Sequence, residues 1–264
     1  MMDSSALKHL EQSHKTGTIV ADGHAVIIGD DFKISDLEKY AEQRARFRGR
    51  YATSSIADFV SYVGDRAAEK LPIFIDRDEM RAVCYLDMGD QTAPGHCEHA
   101  AKLSLDKTAE FKAYLGADGR SLDQDGMVEL IEDWGHLMQF QNSEGEALEP
   151  RKVLHAIRKV SIEDLTSMES ERQAHSSQTG VMNTVTVKNA DRLPAVITWS
   201  FVPFAELSGV TLDMRVSALT NGKPGFRLRA ISLEAETSRM AEEFAARVRD
   251  ELPQQQAMQG SFTP

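Results

Sequence analysis

The chain has 264 residues, 41 of them acidic against 30 basic, and a formal net charge of −11. An apolar fraction of 41% beside a charged fraction of 27% is the composition of a chain with a packed core, which excludes a disordered or low-complexity protein. No apolar run approaches the ~20 residues that span a bilayer, and a field of this sign disfavours indiscriminate coating of nucleic acid while leaving room for a local basic patch.

Met1-Met2-Asp3-Ser4 shows no basic stretch leading into an apolar one, so a secreted product is not expected. Cys84 and Cys97 are too few for a disulfide scaffold, and a reducing cytoplasm is the expected compartment. The first ~20 residues are polar and terminal and are expected to be loosely ordered. His24 to Ile28 then reads as a short strand ending at Gly29-Asp30-Asp31. Ser35 with Glu38 forms a capping box for a helix that turns Leu37, Tyr40 and Ala41 inward. Phe47 to Thr53 suits an extended strand, with Phe47, Gly49 and Tyr51 on one face and Arg46, Arg48 and Arg50 on the other. Ser55 and Asp58 open a helix whose apolar stripe is Ile56, Phe59, Val60 and Val63.

Pro72 to Asp76 and Met80 to Asp87 read as strands around a tight turn, and a loop through Gly89 and Pro94-Gly95 leads to a strand from Cys97 to Leu105. Thr108 caps a helix bearing Phe111, Tyr114 and Leu115. Ser121 and Gln124 begin another, with Val128, Leu130, Ile131, Trp134, Leu137 and Met138 inward. The polar run Asn142-Ser143-Glu144-Gly145-Glu146 is the expected linker, and a helix follows from about Arg151 to Ser167. β character then dominates at Val181 to Lys188, Pro194 to Phe204, Val210 to Leu219 and Phe226 to Glu234, with Asn221-Gly222-Lys223-Pro224-Gly225 turning an antiparallel hairpin. A last helix aligns Met240, Phe244, Val248 and Leu252. The pattern predicts an α+β fold: a mixed sheet with packed helices over residues 20–145, an antiparallel sheet closed by a helix over 146–252, and a mobile tail over 253–264.

Four clusters invite chemistry. In Gly95-His96-Cys97-Glu98-His99, two histidines and a thiol suggest zinc, but strand alternation sends His96 and His99 to opposite faces, so no metal is expected. Glu129, Glu132, Asp133 and His136 form one helical stripe, suited to a metal or an acid/base pair and equally to a solvated face. In Arg44-Ala45-Arg46-Phe47-Arg48-Gly49-Arg50-Tyr51, extended geometry aligns Arg46, Arg48 and Arg50 beside aromatics that include Tyr51. Guanidinium forks match phosphate and rings match bases, so a single-stranded nucleic acid or a nucleotide is the candidate ligand. The same pattern describes a strand whose outer face pairs with acidic neighbours. Arg215, Arg227 and Arg229 make a smaller cationic group, for which charge pairing with Asp213 is the simpler account. No spacing selects a catalytic constellation, so no catalytic residue is named.

Ser55 to Val63 (SIADFVSYV), Pro94 to Leu105 (PGHCEHAAKLSL), Thr108 to Tyr114 (TAEFKAY), Gly119, Glu129 to Trp134 (ELIEDW) and Pro203-Phe204 before the hairpin and last helix occur in a characteristic order. In that order the chain resembles the YfdQ-like proteins of phages and prophages, a family of unknown function, over roughly residues 20 to 250. The segment Arg172 to Gly180 departs from the pattern. The resemblance implies a phage or prophage gene, a bacterial host and a cytoplasmic product, and it carries no catalytic residue to transfer.

The expected function is a non-catalytic phage- or prophage-encoded accessory protein that acts by binding and self-association, without a cofactor. A nucleic-acid or nucleotide binder of phage DNA metabolism is the alternative, and a metal-dependent hydrolase using His96, His99, Asp133 or His136 is the third. Self-association rests on the strand from Pro194 to Phe204, apolar on both faces, which offers Trp199 and Phe201 to a homo-oligomer contact unless the N-terminal block covers them.

Overall fold

The computed structural model describes residues 18–20, 25–27, 38–68, 70–160, 193–219 and 224–264. The chain divides into two compact units, Met1–Phe47 and Arg48–Pro264. In the first, β1 (Thr18–Val20) and β2 (Ala25–Ile27) pair antiparallel. A 3-10 turn, Glu38–Tyr40, follows the expected cap, and Glu38 accepts the Ala45 N–H; Ser35 itself lies outside the described residues.

The second unit holds two sheets. The first is mixed and five-stranded, in the order β13-β4-β5-β6-β3. Its members are β3 (Gly49–Thr53), β4 (Pro72–Asp76), β5 (Arg81–Tyr85), β6 (His99–Ser104) and β13 (Gln256–Gln259). β3 runs parallel to β6 and β13 parallel to β4. Ile73, Ile75, Ala82, Cys84, Ala101 and Leu103 bury one face at alternating positions. Over that face lie α1 (Ile56–Arg66) and α5 (Leu233–Glu251), with Phe59, Val63, Phe244 and Val248 fully buried. Ser55 caps α1 as its sequence requires, taking the Asp58 N–H at 3.2 Å.

The other sheet is antiparallel and six-stranded, ordered β7-β12-β11-β10-β8-β9. It combines β7 (Ser121–Asp123), β8 (Met138–Gln141), β9 (Ala147–Leu148), β10 (Val196–Phe201), β11 (Val210–Leu219) and β12 (Gly225–Ala230). Its inner face packs on α2 (Ala109–Ala117), α3 (Gln124–Trp134) and α4 (Pro150–Lys159). Tyr114 and Phe111 of α2 meet Trp199 and Phe201 of β10 with ring centroids 5.7 and 5.8 Å apart.

Several elements differ from expectation for identifiable reasons. Asp123, not Ser121, caps α3 by accepting the Gly126 N–H, because Ser121–Asp123 is drawn into a strand beside β12. Met138 does not continue α3; the helix stops at Trp134 and Met138 starts β8, an element that short alternation left unrecognised. β7 and β8 precede residue 145, yet they pair with β12 and β10 from the far side of the expected linker. Gln256–Gln259, in the expected tail, adds a strand to β4. The strand expected at Val181 to Lys188 and the end of the helix expected to reach Ser167 lie outside the described residues.

Candidate nucleic-acid interface

β3 is an edge strand of the five-stranded sheet, and its alternation separates the arginine strip from its aromatic neighbour. Arg50 is exposed on the outer face. Tyr51 faces α1 and stacks on Tyr62 with centroids 4.3 Å apart and planes 14° from parallel. Tyr62 also lies under the Arg66 guanidinium at 4.2 Å and brings its hydroxyl to 3.1 Å from His99 Nε2. Arg48 stands just before the strand, and its Nε lies 3.1 Å from Glu98 Oε2, so part of the strip's charge is neutralised within the fold. Arg46, half-buried, belongs to the other unit.

The loop from Asp87 to Glu98 fixes where β6 begins. Gly89 has φ +68°, and a Cβ on Gly95 would sit 1.6 Å from the Asp87 carbonyl oxygen, so the loop closes only with glycine there. Asp87 then clasps the strand entrance, accepting the N–H groups of Glu98 at 3.0 Å and His99 at 2.9 Å. Cys97 turns through φ +53° before the strand starts, so His96, exposed, and His99, half-buried, are separated by a turn and not by simple alternation. Burial pushes the His99 pKa down, with Arg66 adding to the effect and Asp87 opposing it. Burial, helped by Asp87, pushes the Cys97 thiol up. Among the described residues no three His, Cys, Asp or Glu side chains are grouped to hold a metal ion.

The acidic stripe of α3 does not converge either. Glu132 bonds Arg158 of α4, and His136 lies beyond the helix end, its ring stacked near Trp134 at 6.4 Å.

Register makes a different assembly on the outer face of the five-stranded sheet. Met258, Phe74, Val83, Lys102 and Ala52 form one cross-strand row. In the next, Tyr85 and Arg50 flank Ala100. Lys102 and Arg50 are exposed and have no ion-pair partner among the described residues. Phe262 lies on this face, stacked on Phe74 at 4.9 Å and 13° and edge-on to Tyr85 at 5.7 Å, with the Tyr85 hydroxyl donating to its carbonyl. Lys102, Phe74 and Tyr85 escaped the sequence reading because each is unremarkable alone; only strand order places them beside Arg50.

On the six-stranded sheet, Trp199 is fully buried and Phe201 nearly so, covered by α2 of the same chain. The apolar area assigned to a contact between copies is therefore filled within the chain by α2, which lies in the N-terminal block expected as the alternative cover. The opposite, solvent face carries Arg215, Arg227 and Arg229, all exposed. Among the described residues no ion pair joins them to Asp213, whose carboxylate accepts the Thr198 hydroxyl at 2.6 Å.

These features define an α+β protein with two sheets whose outer faces carry cations. The chain belongs to the family described as an uncharacterized conserved protein, DUF2303, which matches residues 3–262. No curated protein and no solved structure matches it. Among the described residues, no helix is long and apolar enough to cross a membrane.

Proposed function

We propose that this protein is a non-catalytic accessory protein, phage- or prophage-encoded and cytoplasmic, whose ligand is single-stranded nucleic acid. The observation that carries the reading is the juxtaposition of exposed Arg50 and Lys102 with the Phe74–Tyr85 rows on one sheet face. Single strands are held by cations that follow the backbone and by rings on which successive bases stack, each stacked base contributing about 1–3 kcal/mol. Phe262 lies flat on Phe74, the stacking geometry that a base displacing it would adopt. The resemblance to YfdQ-like proteins supports the phage or prophage origin. The non-catalytic part is supported by the roles of the titratable groups: Asp87 clasps backbone N–H groups, and His99 is packed against Tyr62.

Fluorescence anisotropy with a labelled oligothymidylate at about 50 mM salt tests the site. Binding should weaken as salt rises, and Arg50→Ala with Lys102→Ala should weaken it at least tenfold. Tyr85→Ala should cost a further factor of about ten, consistent with one lost stacked base. No binding at low salt, or binding indifferent to all of these changes, ends the reading. The proposal retains self-association, now through a terminal strand of a sheet such as β3. A single 29.3 kDa particle by light scattering removes it.

A further inference from the structure

We propose that the solvent face of the six-stranded sheet is a separate nucleic-acid surface, one that takes the phosphodiester backbone of a duplex on Arg215, Arg227 and Arg229 without reading its bases. β11 alternates buried and exposed residues through Leu212, Asp213, Met214, Arg215 and Val216, and β12 does so through Phe226, Arg227, Leu228 and Arg229. Register sets Arg215 directly opposite Arg229, and Arg227 between Ser217 of β11 and Ser121 of β7. Directly opposed residues have Cβ atoms about 4.5–5.5 Å apart, and two residues along a strand span about 7 Å. The cations therefore form a compact angle on one face of the sheet.

Like charges set directly opposite destabilise a sheet unless a counter-charge stands between them. Among the described residues the nearby carboxylates form no ion pair with these arginines, and each accepts a different donor. Asp213 accepts the Thr198 hydroxyl, Asp123 caps α3 at Gly126, and Asp118 accepts the Ala230 N–H. No ion pair reaches Arg215, Arg227 or Arg229 among the described residues, whereas Arg48, Arg77, Arg81, Arg158 and Arg239 all have acidic partners. In a chain of net charge −11, leaving this group unneutralised is a local cost with no structural return.

The chemistry of the surrounding face selects the ligand. Its other exposed or half-buried members include Gln139, Ser200, Thr211 and Ser217, polar side chains suited to phosphate oxygens, beside Asp213, whose carboxylate holds the Thr198 hydroxyl. A protein partner would need an apolar centre to bury, and unpaired bases would need rings to stack on; the alternation places the sheet's large apolar side chains, Trp199, Leu212, Met214, Phe226 and Leu228, on the inner face. A duplex presents its phosphates outward and keeps its bases stacked inside, which matches a polar surface carrying clustered cations.

The test is binding of a blunt duplex closed at both ends by non-nucleotide linkers, so that no single strand is offered. At about 50 mM salt it should bind, with log K falling against log salt at a slope of about −2.7, three phosphates at roughly 0.9 each. Arg215→Gln with Arg229→Gln should lose at least tenfold in affinity and flatten the slope by about 2. Arg249→Gln, an exposed cation in the last turn of α5, should leave duplex binding unchanged, and the Arg215→Gln, Arg229→Gln variant should keep its affinity for the oligothymidylate, which separates this surface from the single-strand site. The melting temperature of the free double variant should hold or rise, because a repulsion has been removed. No duplex binding at low salt, unchanged affinity in the double variant, or a lower melting temperature that marks the arginines as structural would each overturn the proposal.

Discussion

Trp199 offers the sharpest test of how β10 is covered. Its side chain is fully buried between Met138 and Leu212 across the sheet, with the Tyr114 ring edge-on at 5.7 Å and 85°. Truncation to alanine removes those contacts and leaves a cavity, a loss of about 3–5 kcal/mol. For a unit of this size that lowers the melting temperature by roughly 6–20 °C, at 2–4 °C per kcal/mol. Trp199→Phe behaves differently, because the indole Nε1 is buried without an acceptor among the described residues. Removing an unsatisfied donor recovers about 1–3 kcal/mol. The smaller ring forfeits a comparable amount of packing while keeping the aromatic contact with Tyr114, so the net change should stay within about 1 kcal/mol. Thermal unfolding by circular dichroism and light scattering on the same samples read both effects. An unchanged melting temperature with a smaller particle in Trp199→Ala would place the residue at a contact between copies and refute the argument. A phenylalanine variant as damaged as the alanine one would show that the indole N–H is satisfied.

Asp123→Ala should cost about 1 kcal/mol in urea unfolding through the lost cap of α3, whereas Ser121→Ala should stay within about 0.5 kcal/mol; the reverse order would restore Ser121 as the cap. Burial raises the Cys84 thiol to about 12 and also raises Cys97, so a thiol reagent at pH 8 should leave Cys84 unmodified in the native protein. Denaturation without reductant should then expose both thiols, and a missing one would contradict the free state of the pair. The His99 pKa is lower in the folded chain than its unfolded value of about 6.5, so the unfolded state binds the extra proton and this contribution to stability is lost as pH falls below that value. The melting temperature should therefore fall less between pH 7.5 and 5.5 in His99→Gln than in the wild type; parallel curves would remove His99 from the effect.

What the sequence determined by itself is local. Ser55 and Thr108 cap their helices because a hydroxyl three residues ahead of an N–H needs nothing distant to form that bond. The alternation of β11 and the stripe of α5 likewise declare their buried faces through period alone. What only the tertiary structure decided is which strands become neighbours. β7 and β8 are too short to announce themselves, and β13 is polar; each is a strand because a partner supplies its backbone hydrogen bonds. The candidate sites follow the same division. Arg50 was legible as a cation on an extended strand, but the Arg48–Glu98 pair and the Tyr51–Tyr62 stack depend on β6 and α1. Lys102, Phe74 and Tyr85 join Arg50, and Arg215 confronts Arg229, only through register, because charge and stacking act across a few ångströms of space while sequence records order along the chain.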